Sequence, residues 1–220
     1  MNFEVIGSSS KGNCIVVEKF LMLDCGVTYS KIKTLLKNIK VVFISHVHKD
    51  HLLPTTIKQI AYNYPNIKFI CGSREVVFKL VENGVNKKNI FFMQENKWYS
   101  LGIMDFSLEK LEHDTPNYCI KFKINALDKK GIYIVDTSNV NNLKAVGYDL
   151  YLIESNYNED ILKKHIENCE NEEELYYLHR VPYTHLSYEQ ANTFLIENMR
   201  ENSEYFYIHQ SSYNFEERDW

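Results

Sequence analysis

An apolar run, Val41 to Ser45, leads straight into His46, Val47, His48, Lys49, Asp50 and His51, so three of the chain's eight histidines and one aspartate fall inside six residues. Such a run of β-branched and aromatic residues reads as a buried strand. Imidazole nitrogens and carboxylate oxygens are the donors that zinc, manganese and iron accept. A loop at a strand end can turn His46 and His48 one way and Asp50 and His51 another, so one short segment can serve two metals. A His-rich surface loop or a single structural zinc is the plainer alternative. The other histidines weigh against it, because His113, Asp136 and His209 each follow a predicted strand (Asp105 to Leu111, Gly131 to Val135, Tyr205 to Ile208) and can converge on one sheet edge.

The first half of the chain alternates short strands (Phe3 to Ile6, Cys14 to Val17, Leu21 to Leu23) with helically spaced apolar sets: Ile32, Leu35, Leu36 and Ile39, then Ile57, Ile60 and Ala61, then Val76, Val77, Leu80 and Val81. Further on, strands crowd together: Ile67 to Cys71, Ile90 to Met93, Asp105 to Leu111, Tyr118 to Ile124, Gly131 to Val135 and Leu150 to Ile153. They are too many for one small parallel sheet. The mixed order predicts two packed sheets with helices outside, against a generic α/β layer fold as the alternative. Ser187 and Gln190 form a capping-box signature ahead of the stripe Ala191, Phe194, Leu195 and Met199. The acidic stretch Glu167 to Glu174 reads as a solvated loop or helix face. With no internal repeat and no Pro/Gly/Ser-rich linker, residues 1–220 read as a single domain.

A formal charge of −4 and a pI near 6.1 argue against a protein that coats nucleic acid nonspecifically, since that binding depends on many cations displacing counterions. Contacts to a single phosphate stay open, and bound divalent ions change the charge at the site itself. The five cysteines, Cys14, Cys25, Cys71, Cys119 and Cys169, are odd in number and lack a CxxC pair, so they read as reduced thiols. No stretch approaches the roughly 20 apolar residues of a membrane span. The start MNFEVIGSSS lacks the basic and apolar regions of a signal peptide. The expectation is a soluble, cytoplasmic protein with no membrane partner.

With His46, His48, Asp50 and His51 standing as HxHxDH, the chain resembles the metallo-β-lactamase-fold hydrolases. Supporting segments run along nearly the whole chain: GSSSKGNC (Gly7 to Cys14), LDCG (Leu23 to Gly26), EHD (Glu112 to Asp114), VDTS (Val135 to Ser138), THLS (Thr184 to Ser187) and IHQSS (Ile208 to Ser212). The resemblance implies an α/β fold of four αββα layers. It also implies two divalent ions, zinc first with manganese or iron as alternatives. One would be held by His46, His48 and His113, the other by Asp50, His51 and His209, with Asp136 bridging them. Two cations roughly 3.5 to 4 Å apart can hold a hydroxide between them and stabilise charge on both attacking and leaving oxygens. Asp24 resembles a structural aspartate that orients the histidine loop.

GSSSKGNC together with two late histidines is similar to the small YycJ-like exonucleases. The late pair, His185 and His209, also resembles that of ribonuclease Z. The resemblance implies Asp50 and His185 in catalysis, His185 as general acid or phosphate contact, against the alternative of a polar turn residue that only bonds backbone. Ser9, Ser10 and Lys11 form a candidate phosphate-contacting loop, although Gly/Ser turns also simply connect strands, and Ser187 joins them as a candidate substrate contact. Tyr157, Tyr183 and Tyr213 lie near the late motifs and could stack on a base. His165 and His179 read as surface residues. The implied activity is a binuclear phosphodiesterase acting on nucleic acid or a cyclic nucleotide, with a homodimer by analogy with ribonuclease Z. A thioester or lactone hydrolase of the glyoxalase-like branch is the second reading, and an inert metal-binding module the third.

Overall fold

The computed structural model describes residues 1–211, so Ser212 and Tyr213 lie outside the described residues. The first sheet is built from β1 (Phe3–Gly7), β2 (Cys14–Val17), β3 (Leu21–Leu23), β4 (Val41–Phe43), β5 (Lys68–Cys71) and β6 (Ile90–Phe92), side by side in chain order. β1 to β3 form an antiparallel meander, and β3 to β6 run parallel. The second contains β7 (Tyr99–Ser100), β8 (Met104–Leu111), β9 (Asn117–Ile124), β10 (Lys129–Ile134), β11 (Leu150–Glu154) and β12 (Glu204–Ile208), again in sequential order.

Each strand divides its side chains between two cores, as a period of two requires. Leu21, Leu23, Val41 and Phe43 point between the sheets, where they meet Phe106, Leu108, Ile120, Phe122, Tyr133 and Leu152. Met22, Val42 and Ile44 point the other way. There they pack under α2 (Pro54–Asn63) and α3 (Arg74–Glu82) through Ile57, Ile60, Val76 and Leu80. On the far side Ile132, Ile134, Tyr151 and Ile153 pack under α6 (Tyr188–Asn198) through Ala191, Phe194 and Leu195. The result is the expected α/β sandwich of four αββα layers, and burial on both faces is why the central strands read as unbroken apolar runs.

Three local features differ from the sequence reading. The set Ile32, Leu35, Leu36 and Ile39 forms a four-residue helix, α1 (Tyr29–Ile32), followed by turns bonded Leu35 to Ile32, Asn38 to Leu35 and Ile39 to Leu36. These i to i+3 bonds tighten the coil yet still bury Ile32, Leu36 and Ile39, which explains why the periodicity looked helical. The metal-loop strand ends at Phe43, two residues before Ser45. The acidic stretch divides between the end of α4 (Glu159–Asn168) and the start of α5 (Glu172–Thr184), two helices that the sequence did not announce.

Gly26 fixes where the metal loop lies. A Cβ there would stand 1.6 Å from the Asp50 carbonyl oxygen and 2.7 Å from the His51 nitrogen, both backbone atoms that cannot swing aside. Gly26→Ala should therefore displace the loop or the chain against it. We expect a cost of about 3 kcal/mol from overpacking, seen as a melting point lower by roughly 6 to 12 °C together with weakened metal binding. A melting curve like that of the parent protein would overturn this.

Candidate metal centre

The topology brings the site residues to one edge. β10, β11 and β12 are mutually parallel, and β8 shares their direction through the antiparallel β9, so their C-terminal ends all open onto the same rim. His113, Asp136 and His209 follow β8, β10 and β12 there, facing the loop that carries His46 to His51 after β4. Asp24, Asp136 and His209 all adopt left-handed backbone, with φ of 58°, 50° and 54°. This region is sparsely populated by non-glycine residues, and its use at three site positions marks a chain bent to aim side chains.

Three overlapping donor groups result, two of which contain residues of the histidine loop; the third is Asp136, Glu154, His185 and His209. In the first, single ligand atoms of His46, His48, His113 and Asp136 lie within 4.8 Å of one another; in the second, those of Asp50, His51, Asp136 and His209 do so. Asp136, only 2% exposed, belongs to all three. Its Oδ2 stands 3.0 Å from His51 Nε2 and 3.4 Å from His46 Nε2. All seven metal ligands expected from the sequence are thus brought together.

Whether these residues suit a metal is decided by the far side of each ring. His51 Nδ1 donates to Asp24 Oδ2 at 2.6 Å. His46 Nδ1 donates to the Ser45 hydroxyl at 2.9 Å, and that hydroxyl donates onward to Asp24 Oδ2. His113 Nδ1 donates to the Thr184 carbonyl at 3.1 Å, and His209 Nδ1 faces Glu154 Oε1 at 3.2 Å. Fixing the proton on Nδ1 leaves each Nε2 lone pair pointing inward, the arrangement that orients imidazole ligands on a metal. His48 is turned round, with Nε2 3.4 Å from Asp114 Oδ1 and Nδ1 facing inward. His46 Nε2, His209 Nε2 and Asp136 Oδ1 are buried without a hydrogen-bond partner among the described residues. Buried polar atoms left so are rare unless something else binds them. The donor set fits two divalent ions.

The electrostatics divide the rings into two pairs. Burial pushes the His46 and His113 imidazoles below their ordinary range, favouring the neutral form that ligates. Burial acts the same way on His51 and His209, but neighbouring carboxylates outweigh it: Asp136 and Asp24 raise His51, and Asp136, Asp50 and Glu154 push His209 up to about 10. Burial would raise the Asp136 carboxyl, yet the His209 and His51 charges hold it well below the carboxylate range.

Asp24 is the hub that holds the histidine loop. Fully buried, it accepts from the Ser45 N–H, the Ser45 hydroxyl, His51 Nδ1 and the Tyr133 hydroxyl. Asp24→Ala should leave these donors unanswered and the two rings loose, and we expect a loss of metal affinity of roughly 10- to 100-fold. Competition with a chelator measures it, and unchanged affinity would refute the role.

The Gly7 to Cys14 loop also reaches the centre. Asn13 Nδ2 lies 3.0 Å from His51 Nε2 and 3.3 Å from Asp50 Oδ2, and the Ser8 hydroxyl accepts from the His209 N–H. Ser10 and Lys11 stand exposed beside it and Ser9 half-buried. Ser187 is placed differently: fully buried, its hydroxyl caps α6 and donates to Glu159. His165 and His179 are exposed on α4 and α5.

Sequence reasoning missed Glu154. This buried carboxylate ends β11, accepts from the Thr137 and Leu186 N–H groups, and sits 2.6 Å from His185 Nδ1. The rule that found His113, Asp136 and His209 applies to it as well, since Glu154 directly follows the apolar run Leu150 to Ile153. His185 itself caps the end of α5. Its ring stacks on His209 at 5.2 Å between centroids and lies 6.1 Å from His113, so it faces both donor sets. Burial would lower the His185 pKa, but the Glu154 charge outweighs that and raises it.

Among solved structures, human tRNase Z, short form, superposes over 96% of this chain and 93% of its own with a TM-score of 0.71 at 15% identity. The metallo-beta-lactamase fold protein YhfI from Bacillus subtilis covers 94% of this chain and 85% of its own, with a TM-score of 0.68 at 16% identity. This chain has the metallo-β-lactamase fold. A diphosphatase of the PhnP family shares that fold, with a TM-score of 0.64 and 14% identity over 97% of this chain and 87% of its own. No family model matches the sequence. Hydroxyacylglutathione hydrolase from Buchnera aphidicola subsp. Baizongia pistaciae is 29% identical over 98 residues, 44% of this chain and 37% of that protein, so the likeness spans well under half of that relative.

Proposed function

We propose that the protein is a two-metal phosphodiesterase acting on nucleic acid or a nucleotide. The observation that carries this reading is the Glu154–His185 pair beside the two donor sets. A departing thiolate is stable near neutral pH, because thiols ionise around pH 8.5, so a thioester hydrolase has little need of a proton donor. A nucleotide alkoxide is a far poorer leaving group and needs one. The pair supports that role: Glu154 accepts the Nδ1–H hydrogen bond and stabilises the imidazolium, which leaves Nε2–H on the opposite side of the ring as the donor.

Two bound cations supply Lewis acidity and lower the pKa of water. The protein does the rest. Asp136 joins the two sets, Asp50 and the histidines fix their geometry, and Asn13 holds the Asp50 side chain from the glycine-serine loop. Ser9, Ser10 and Lys11, next to Asn13 on that loop, are the candidate phosphate contacts. Likeness in fold to tRNase Z and to a PhnP-family diphosphatase is consistent with this choice, while the hydroxyacylglutathione hydrolase likeness is partial.

The test is a panel of single- and double-stranded DNA, RNA, cyclic mononucleotides, bis-p-nitrophenyl phosphate, a glutathione thioester and a lactone, each run with zinc and with manganese. Turnover of phosphodiesters above thioester and lactone is expected, and the reverse order would sink the proposal. All five cysteines are unpaired, which fits a reducing compartment such as the cytoplasm. Among the described residues no helix is long and apolar enough to cross a membrane. A homodimer is the expected assembly by resemblance to ribonuclease Z. Light scattering that reports a monomer at micromolar concentration would remove it.

A further inference from the structure

α5 turns Leu178 and Val181 into the small core it shares with α4, which leaves its opposite face to solvent. On that face, at helical spacings of four and three residues, stand Tyr176, Arg180 and Tyr183. The tyrosines are 68% and 79% exposed, so neither ring serves the core. The Arg180 guanidinium lies 5.9 Å from the Tyr176 ring centroid.

The stripe runs into the metal centre. The Thr184 carbonyl accepts a hydrogen bond from His113 Nδ1, Arg180 Nη2 stands 3.7 Å from Asp114 Oδ2, and His185 follows at once. An open groove of about 1010 Å³ lies here, lined by Lys110, His113, Asp114, Arg180, Tyr183 and Thr184. Of the expected metal ligands it holds His113, and around that lie the Tyr183 ring, two cations, Lys110 and Arg180, and two carboxylates, Glu112 and Asp114.

We propose that this face of α5 is a stacking track for single-stranded nucleic acid. The nucleotide next to the scissile phosphodiester lays its base on Tyr183. Arg180 exchanges its exposed contact with Asp114 for the following phosphate, and Tyr176 receives the next base. The proposal rests on the phosphodiesterase reading of the adjacent site and narrows its substrate to unpaired strands. Paired bases keep their faces stacked inside the duplex, whereas any unpaired base offers a π-face to a tyrosine without sequence preference. Because Glu112 and Asp114 offset Lys110 and Arg180 in the groove, stacking on the two rings carries most of the binding. The exchange at Arg180 costs little, because exposed ion pairs of this kind are weak.

Binding is read by fluorescence anisotropy of the metal-loaded protein with a labelled eight-residue oligodeoxyadenylate whose phosphorothioate linkages resist cleavage. Tyr183→Ala should weaken binding roughly 5- to 100-fold, the loss of one stacked base, and Tyr183→Phe should restore it. Arg180→Ala should reduce the slope of log K against log salt by about 0.7, the value for one phosphate on a single strand. In turnover, Tyr183→Ala should raise KM for a single-stranded oligonucleotide while changing KM for the same sequence held within a duplex little, because paired bases keep their faces inside the stack. Wild-type protein that does not bind the oligonucleotide, a Phe variant as impaired as the Ala variant, or equal losses on both substrates would overturn the track. So would intact oligonucleotide binding in a Tyr183→Ala variant that shifts from dimer to monomer, which would make the face a contact between copies of this chain. If wild type hydrolyses neither substrate, the phosphodiesterase reading fails separately and the anisotropy result still decides the track.

Discussion

Asp136→Ala is expected to take the protein from close to two divalent ions per chain to one or none and to abolish turnover on every phosphodiester. Asp136 Oδ2 faces His51 and His46 at 3.0 and 3.4 Å, while Oδ1 stands 3.2 Å from His209 Nδ1. No other carboxylate belongs to both the His46–His48–His113 set and the Asp50–His51–His209 set. Removing it therefore takes a donor from each, and leaves His51 and His209 without the charge that holds them. The loss should exceed the roughly 10- to 100-fold typical of a residue that only supports a ligand. Mass spectrometry under native conditions counts the ions and bis-p-nitrophenyl phosphate reads the rate. Active wild-type protein holding a single tight ion would refute the paired site, and so would an Asp136→Ala variant that keeps both ions. Circular dichroism of the variant separates loss of metal from loss of fold.

The carboxylates and imidazoles of this centre were legible because they obey one rule: a polar donor directly after an apolar strand. His46, His113, Asp136 and His209 stand out in that way; the shared direction of β8, β10 and β12 brings the last three to one rim, where they face His46 after β4. Glu154 obeys the rule as well but lies among polar neighbours, in Glu154, Ser155 and Asn156, with no histidine beside it to draw attention. Asn13 and Tyr133 could not have been read at all. Their roles depend on which residue lies across a sheet or loop, and no local pattern carries that: Asn13 reaches Asp50 over 37 positions and Tyr133 reaches Asp24 over 109.

The sandwich was legible for a similar reason. Strands buried on both faces leave continuous apolar runs, and the runs from Val41, Leu150 and Ile132 all belong to such strands. α4 and α5 hid because each buries only one or two side chains, Leu162 in α4 and Leu178 and Val181 in α5. Leu162 and Ile166 do lie one helical turn apart in α4, but the stripe is short, and Pro182 inside α5 reads as a helix breaker. Their caps were present in the sequence, since Asn158 and Asn171 each accept N–H groups of the first turn, but asparagine is equally at home in turns.

His185→Ala is expected to keep both ions and to lose roughly 10²- to 10⁴-fold in rate on a natural nucleotide ester, the range for removal of a general acid. His209→Ala should instead lose an ion and all activity. The two rings are stacked 5.2 Å apart and both turn Nδ1 toward Glu154, so proximity does not distinguish them. Their other contacts do. His209 Nε2 lies 3.5 Å from Asp50 Oδ2 and is buried without a hydrogen-bond partner among the described residues, as a ligand atom would be. His185 joins neither of the two sets that contain the histidine loop; it groups only with Asp136, Glu154 and His209, and there its Nδ1 is already taken by Glu154 at 2.6 Å. The leaving group supplies the sharper test: nitrophenolate departs with little help, so His185→Ala should be impaired far less on bis-p-nitrophenyl phosphate than on an oligonucleotide. Glu154→Gln should follow the same pattern, because the amide keeps an acceptor for the Nδ1 proton but no longer carries the charge that stabilises the imidazolium. Equal losses on both substrates would remove the general-acid role, and an ion lost from His185→Ala but kept by His209→Ala would exchange the two assignments.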